Sequence, residues 1–369
     1  MHYLDANASE PLRPQARAAM AAALDVTGNP SSVHGPGRAT RRIMEDAREA
    51  LAARFGVRSA DLVFTSGGTE ADALAIHALG AGRRIIIGAT EHDAVRAAAP
   101  GAAILPVDRT GVADLDALAA LLRDGPPALV CLMLANNETG TVQPVAEAAA
   151  LCRRHDARLH VDGVQAAGRM TVDFFGIGAD SLAISSHKLG GPAGAGALLL
   201  APGVSAVDPL IAGGGQERGR RGGTPPVAVI AGFAAAALAS GDAAALVPLR
   251  DAAEQAAVAC GAVVCGAGAP RLPNTTCLAL PAVRADAQVI MLDLEGVAIS
   301  AGAACSSGKV ATSHVLAAMG LGPLAGEAIR VSLPWNAGAD DTTAFVAAYA
   351  RMAERLRNTA LPPLATRAA

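Results

Sequence analysis

Apolar residues recur along the chain in two rhythms. Short, nearly continuous apolar runs at 61–65, 83–88, 103–107, 128–134, 158–162, 180–185 and 195–200 predict buried strands. Between them, apolar positions return every three or four residues. This predicts helices that open at Ser66-Gly67-Gly68-Thr69-Glu70 and run to about Leu79, then at 91–99, 114–123 and 145–155. Ahead of this alternation, Pro11 and Pro14 suit the first turn of a helix running toward Leu24, and a second helix is predicted over 38–55, stopped by Gly56. The segment 28–37, dense in Gly, Pro, Asn and Ser, reads as a loop.

Strands separated by helices imply βαβ units, hence an α/β fold whose mainly parallel sheet is covered on both faces. Ligands of such sheets collect beyond the carboxyl ends of the strands. Polar residues fall there repeatedly: Thr69, Asn136-Asn137-Glu138, Asp162 and His187-Lys188 each follow or end a strand. Beyond Thr224 the pattern changes. Helices over 225–239 and 243–260 lead into a smaller α+β unit, with strands at 274–280, 297–300 and 328–333 and helices at 285–295, 313–319 and 341–357. A length of 369 residues agrees with two domains. The run 213–223, with Arg218, Arg220 and Arg221, reads as a long basic loop suited to an anion or a subunit contact.

Composition narrows the function classes. Hydrophobic residues make up 52% and charged ones 17%, as in a globular protein. A net charge of −3 without a basic block, and only 2% aromatics, argue against direct nucleic-acid binding. No apolar run is long enough for a bilayer and no leader pattern precedes the first strand, so the expectation is a cytoplasmic protein with no membrane partner. The six cysteines, at 131, 152, 260, 265, 277 and 305, include no C-x-x-C pair, so neither a metal framework nor a disulfide scaffold is expected. Cys131 and Cys277 sit in strand-like runs, whereas Cys305 lies among Gly302, Ser306, Ser307 and Gly308, as a reactive loop thiol would.

One cation stands out. Of 30 Lys plus Arg, only Lys188 and Lys309 are lysines. Arginine keeps its proton in a protein, whereas an amine can lose it and attack a carbonyl. Pyridoxal phosphate needs such an amine, a carboxylate facing its ring nitrogen and donors for its phosphate. Lys188 can supply the first and Asp162 the second. Gly67-Gly68-Thr69 at a helix start, with Ser185 and His187, can supply the third.

These stretches, with others in the same order, resemble the cysteine desulfurases, pyridoxal-phosphate enzymes of the class V aminotransferase group. The matching stretches are 3–8, 29–34, 64–70, 91–92, 136–140, 160–165, 185–188, 213–219 and 300–306. The resemblance implies a fold type I PLP-dependent transferase with a seven-stranded-type sheet. Its large cofactor-binding domain would be 15–250; a small domain of 1–14 and 251–369 would carry the cysteine loop. It also implies roles for particular residues. Lys188 would hold the cofactor and move the substrate Cα proton, and His92 would stack on the ring. Asp162 would pair with the ring nitrogen and Gln165 with the ring hydroxyl oxygen. Gly68, Thr69, Ser185 and His187 would hold the phosphate, joined by Thr224 from the second subunit of a homodimer. Asn137 and Arg330 would bind the carboxylate of L-cysteine, and Cys305 would take its sulfur as a persulfide. A sulfur-acceptor protein, such as an iron–sulfur scaffold, or a thiolation system would then receive it. The alternatives are a selenocysteine lyase, another class V aminotransferase-type enzyme, or a weakly catalytic PLP-binding assembly platform. The chain departs from the family pattern at Gly68, at Gly222, at Ala303-Ala304 and over Leu333-Pro334-Trp335-Asn336.

Overall fold

In the computed structural model, which describes residues 1–123, 125–204, 207–302 and 312–359, the chain runs in the following order. It begins with β1 (His2–Tyr3), α1 (Pro14–Leu24), α2 (Gly35–Phe55), β2 (Leu62–Thr65), α3 (Gly68–Leu79), β3 (Arg84–Gly88), α4 (Asp93–Ala98) and β4 (Ala103–Leu105). It continues through α5 (Leu115–Arg123), β5 (Ala128–Cys131), α6 (Val145–Arg154), β6 (Arg158–Asp162), α7 (Phe174–Ile177), β7 (Ser181–Ser185) and β8 (Gly196–Leu200). Helices α8 (Val227–Ala239) and α9 (Val247–Ala259) follow, then β9 (Val263–Cys265), β10 (Thr275–Ala279) and α10 (Ala285–Leu294). The last elements are β11 (Val297–Ala298), β12 (Ser300–Ala301), α11 (His314–Ala318), β13 (Ala328–Ser332) and α12 (Ala339–Thr359). Cys305 and Lys309 lie outside the described residues.

The expected large sheet is present. Its seven strands take the order β2-β8-β7-β6-β5-β3-β4, parallel except for β8, which is antiparallel to both neighbours. Its apolar runs are continuous because alternate side chains enter different cores. Leu62, Ile86, Val130, Leu182 and Leu199 face one core, under α2, α6 and α8. Val63, Ile87, Leu129, Ala183 and Leu198 face the other, under α3 and α4. A separate antiparallel sheet, β12-β13-β10-β9, has a core of its own containing Leu278, Ile329, Val331, Phe345 and Tyr349. Leu4 joins that second core and β1 pairs with β11, so the first residues of the chain pack with its last third.

Several boundaries differ from the sequence expectation. The segment 28–37 is not all loop: α2 already begins at Gly35, because the His34 ring accepts the Gly37 N–H (3.2 Å) and Pro36 occupies the first turn. The expected strand 297–300 divides at Ile299 into two pieces that pair with different partners, β11 with β1 and β12 with β13. Trp335, in the unusual 333–336 stretch, donates its indole N–H to Pro11 O (2.9 Å) and its backbone N–H to Glu10 Oε2 (3.1 Å). Arg13 stacks over its ring at 4.6 Å. The departure from the family pattern therefore anchors the N-terminal segment.

Gly196 marks a tight backbone crossing near the sheet's working end. A Cβ there would lie 2.6 Å from Gly67 C and 2.7 Å from Gly67 Cα, backbone that cannot swing aside. Gly196→Ala is expected to lower stability by about 1–3 kcal/mol. A thermal unfolding midpoint equal to wild type would contradict this crossing.

Candidate active site

Five parallel-sheet strand ends open on one cavity of about 290 Å³. β2 hands over to α3, placing Gly68 and Thr69 on its wall. The segments after β3 and β5 contribute His92 and Asn137, β6 and the turn after it contribute Asp162 and Gln165, and β7 and the turn after it contribute Ser185, His187 and Lys188. Nine of the expected site residues therefore meet. Arg330 joins them indirectly, by donating from Nη1 to Asn137 O (3.0 Å). Thr224 does not: it lines a different cavity, with Phe64, Thr65 and Arg221.

The start of α3 is built to face an anion. Gly67 gives it no side-chain cap, so the first N–H groups point outward with the positive end of the helix dipole. Gly68 packs closely, since a Cβ there would lie 2.6 Å from Val164 Cγ2, just past the end of β6, and would make that side chain shift. Glu70 tightens the turn by accepting the Ser66 N–H (2.8 Å), and Arg221 grips the same carboxylate at 2.8 and 3.1 Å. The basic loop that supplies Arg221 is pinned by buried Glu217. Its carboxylate takes two bonds from Arg48 (2.8 and 2.6 Å) and one from Phe64 N–H (2.9 Å). Glu217 and Arg218 hold left-handed backbone conformations (φ 48° and 60°) to make this contact.

Lys188 reaches into the cavity and donates to the carbonyls of Asn7 and Ala8, the latter at 3.0 Å. Burial, with repulsion from Arg169 and Arg330, lowers its pKa to about 7 against the opposing pull of Asp162 and Asp5. Across the cavity, burial and the neighbouring Asp72 push Asp162 up to about 7. A ligand cation at Asp162 would reverse that penalty and hold the carboxylate ionised.

Three supporting groups were not visible in the sequence reading. Arg169, fully buried, donates to Gln165 O (2.9 Å) and Oε1 (2.7 Å) and to Ala6 O (2.9 Å), which fixes the Gln165 amide. Asp72 lies one helical turn beyond Thr69 and meets His160 Nε2 at 3.1 Å, while His160 Nδ1 meets Ser181 Oγ at 2.8 Å. Burial pushes Asp72 up to about 8 and His160 down to about 4. With the imidazole neutral, this contact is a hydrogen bond between the Asp72 carboxyl group and the ring. The helical spacing from Thr69, and the strand spacing of His160 from Asp162, were the available signals.

Arg330, expected to bind a carboxylate with Asn137, already has protein partners for two of its nitrogens. Its Nη2 donates to Asp5 Oδ1 (2.6 Å) and its Nη1 to Asn137 O, while its Nε is buried without a protein partner. Asn137 Oδ1 is likewise buried and unpartnered. Unmet polar atoms beside a cavity are the mark of a site shaped for a polar ligand. An amine, an opposed carboxylate and an open helix start fit pyridoxal phosphate. Among the described residues, no single helix is long and apolar enough to cross a membrane.

Comparison with known proteins agrees. The family model for aminotransferase class-V matches residues 2–345. A cysteine desulfurase of Cereibacter sphaeroides is 43% identical, covering 92% of each chain. An IscS-like cysteine desulfurase of Mycobacterium tuberculosis is 38% identical, covering 98% of each. The crystal structure of a NifS-like protein from Rickettsia africae superposes with a TM-score of 0.89 at 32% identity, over 96% of this chain and 99% of that one.

The lowered lysine pKa has a direct consequence. Below about pH 7 Lys188 is the unreactive ammonium; above it the neutral amine predominates. In cofactor-free protein, its reductive labelling by formaldehyde, followed by peptide mass, is expected to be half-maximal near pH 7. Half-labelling near the ordinary lysine value of about 10.4 would contradict the electrostatic picture.

Proposed function

We propose how this chain, which belongs to the aminotransferase class-V family and is a cysteine desulfurase, uses the cavity around Lys188 on L-cysteine. The observation that carries the reading is the convergence of Lys188, Asp162 and the open start of α3 in one cavity. The family implies pyridoxal phosphate, which when bound stores the electron pair left on the substrate Cα.

Each residue then has a task. Gly68 and Thr69 at the α3 start, with Ser185 and His187, hold the phosphate. Asp162 would keep the proton on the ring nitrogen, and the neutral ring of His160, two residues before it, adds no charge. Gln165, steadied by Arg169, takes the ring hydroxyl oxygen, and His92 covers the ring. Lys188 Nζ would hold the cofactor and, as the free amine, would take the proton from the substrate Cα. Its modest basicity suits that exchange, because it can be deprotonated near neutral pH. Asn137 and Arg330 take the substrate carboxylate, with Arg330 giving up part of its bond to Asp5.

Sulfur leaves by nucleophilic attack. The Cys305 thiolate attacks the substrate Sγ, the Cβ–Sγ bond breaks, and an S–S bond forms at Cys305. Protons return to the substrate carbon, and L-alanine leaves. A thiol of an acceptor protein then removes the outer sulfur, for iron–sulfur cluster assembly or thiolation. We place this activity in the cytoplasm and in a homodimer whose second copy contributes Thr224 to the phosphate. That would account for the distance of Thr224 from its own chain's cavity. We assign the cofactor site to residues 15–250, and the cysteine loop to the small domain of 1–14 and 251–369.

With L-cysteine and a reductant, the holoenzyme is expected to release alanine and sulfide in equal amounts. Cys305→Ala is expected to lose both by at least about a hundredfold while keeping the visible band of bound cofactor. Lys188→Ala is expected to lose that band. Sulfide release by Cys305→Ala at the wild-type rate would refute the persulfide route.

A further inference from the structure

Residues 303–311, which hold Cys305, are bounded by two described stems, and both converge on one buried carboxylate. On the C-terminal side, Ser313 caps α11, accepting the Leu316 N–H (3.1 Å), and donates its hydroxyl to Glu138 Oε2 (2.6 Å). On the N-terminal side, Gly302 rests against the same oxygen so closely that a Cβ there would overlap it. Glu138 is 2% exposed, so this contact is made out of water.

Glu138 also belongs to the substrate side of the molecule. It follows Asn137 directly, and its own N–H donates to Asn136 Oδ1 (2.9 Å). The stems have further ties there. His314, next to Ser313, contacts Glu91 O (3.0 Å), the residue before His92. Ser300, two residues before Gly302, pairs across the sheet with Arg330. The described ends on either side of 303–311 therefore contact Glu138 and Glu91, the neighbours of Asn137 and His92, and Arg330 itself. Burial pushes Glu138 above the usual carboxylate range, opposed by the Ser313 hydroxyl, His314 and Arg330.

We propose that Glu138 is a positioning residue that joins both stems of the Cys305 segment to the wall of the substrate pocket. This rests on the reading of Cys305 as the sulfur-accepting nucleophile. A carboxylate is suited to the task because one oxygen can meet the glycine and the hydroxyl together, and both contacts fail when it is removed. Misplacing a reacting group by about 1 Å can cost about a hundredfold in rate, without affecting how substrate binds.

The test uses the holoenzyme and two readouts. Glu138→Ala is expected to slow the first appearance of persulfide on Cys305 by about tenfold or more, with half-saturation of the cofactor's spectral response to L-cysteine within about twofold. Glu138→Gln, whose amide oxygen still accepts the Ser313 hydroxyl, is expected to stay within about threefold of wild type. Without L-cysteine, the alkylation rate of Cys305 by iodoacetamide should change about threefold or more in Glu138→Ala and remain near wild type in Glu138→Gln. Unchanged persulfide and alkylation rates in Glu138→Ala would overturn the proposal. So would a parallel loss of cofactor and L-cysteine binding, which would make Glu138 part of the pocket itself. If Glu138→Ala does not fold, Ser313→Ala carries the same test, with about a threefold loss expected and no loss contradicting it. A wild-type protein that never forms persulfide on Cys305 would refute the desulfurase reading, while the alkylation readout would still decide the role of Glu138.

Discussion

A half-buried amine without an immediate counter-ion is the constraint on which the site depends. Lys188 donates to two backbone carbonyls, and its nearest strong influences besides burial are two arginines of its own sign. Burial disfavours the ammonium, so the amine is available for chemistry near neutral pH. An arginine could not be used in this way. The carbonyls that hold the amine come from Asn7 and Ala8, which explains why the chain invests so much in its N-terminal segment. That segment is fixed by Asn7 Nδ2 bonding to Asn137 O and Thr275 Oγ1, by Arg169 on Ala6, and by Trp335 on Glu10 and Pro11.

The same logic arranges the surroundings. Asp162 is placed where its charge is costly until a cation arrives, because it is buried and close to Asp72. Charge is thus withheld at two facing points of the cavity, Lys188 and Asp162, and both costs are relieved by one ligand carrying an electrophilic carbon and a basic ring nitrogen. The open start of α3 adds the third contact with backbone groups alone, which need no side chain to change protonation. The second sheet contributes Arg330 and, through Ser300 and Ala301, the strand that leads to Gly302.

Much of this was legible in the sequence, for a physical reason. The strands of the large sheet are buried on both faces, so they appear as unbroken apolar runs, and their polar ends stand out against them. Asp162, Lys188 and Thr69 were found that way. The two-residue β1 and three-residue β9 were missed because so few residues establish no period. The start of α2 was hidden because its cap is a histidine set among helix breakers. Arg169 and Asp72 carry only a weak local signal, the spacing of Arg169 from Gln165 and of Asp72 from Thr69, because Ala6 and His160, which they also bond, lie far away in the chain. The acceptors for Lys188 are backbone carbonyls, which leave no trace in residue identity. The Asp5–Arg330 pair spans nearly the whole chain and is visible only once β13 lies beside the N-terminal segment.

The central claim is that sulfur passes from L-cysteine to one named thiol of this chain. A single turnover with heavy-sulfur-labelled L-cysteine, followed by alkylation and peptide mass spectrometry, tests it most directly. The account predicts one labelled sulfur on Cys305 for each alanine formed, with Cys131, Cys152, Cys260, Cys265 and Cys277 unlabelled. Alanine formed without label on Cys305, or with the label on another of these cysteines, would contradict it.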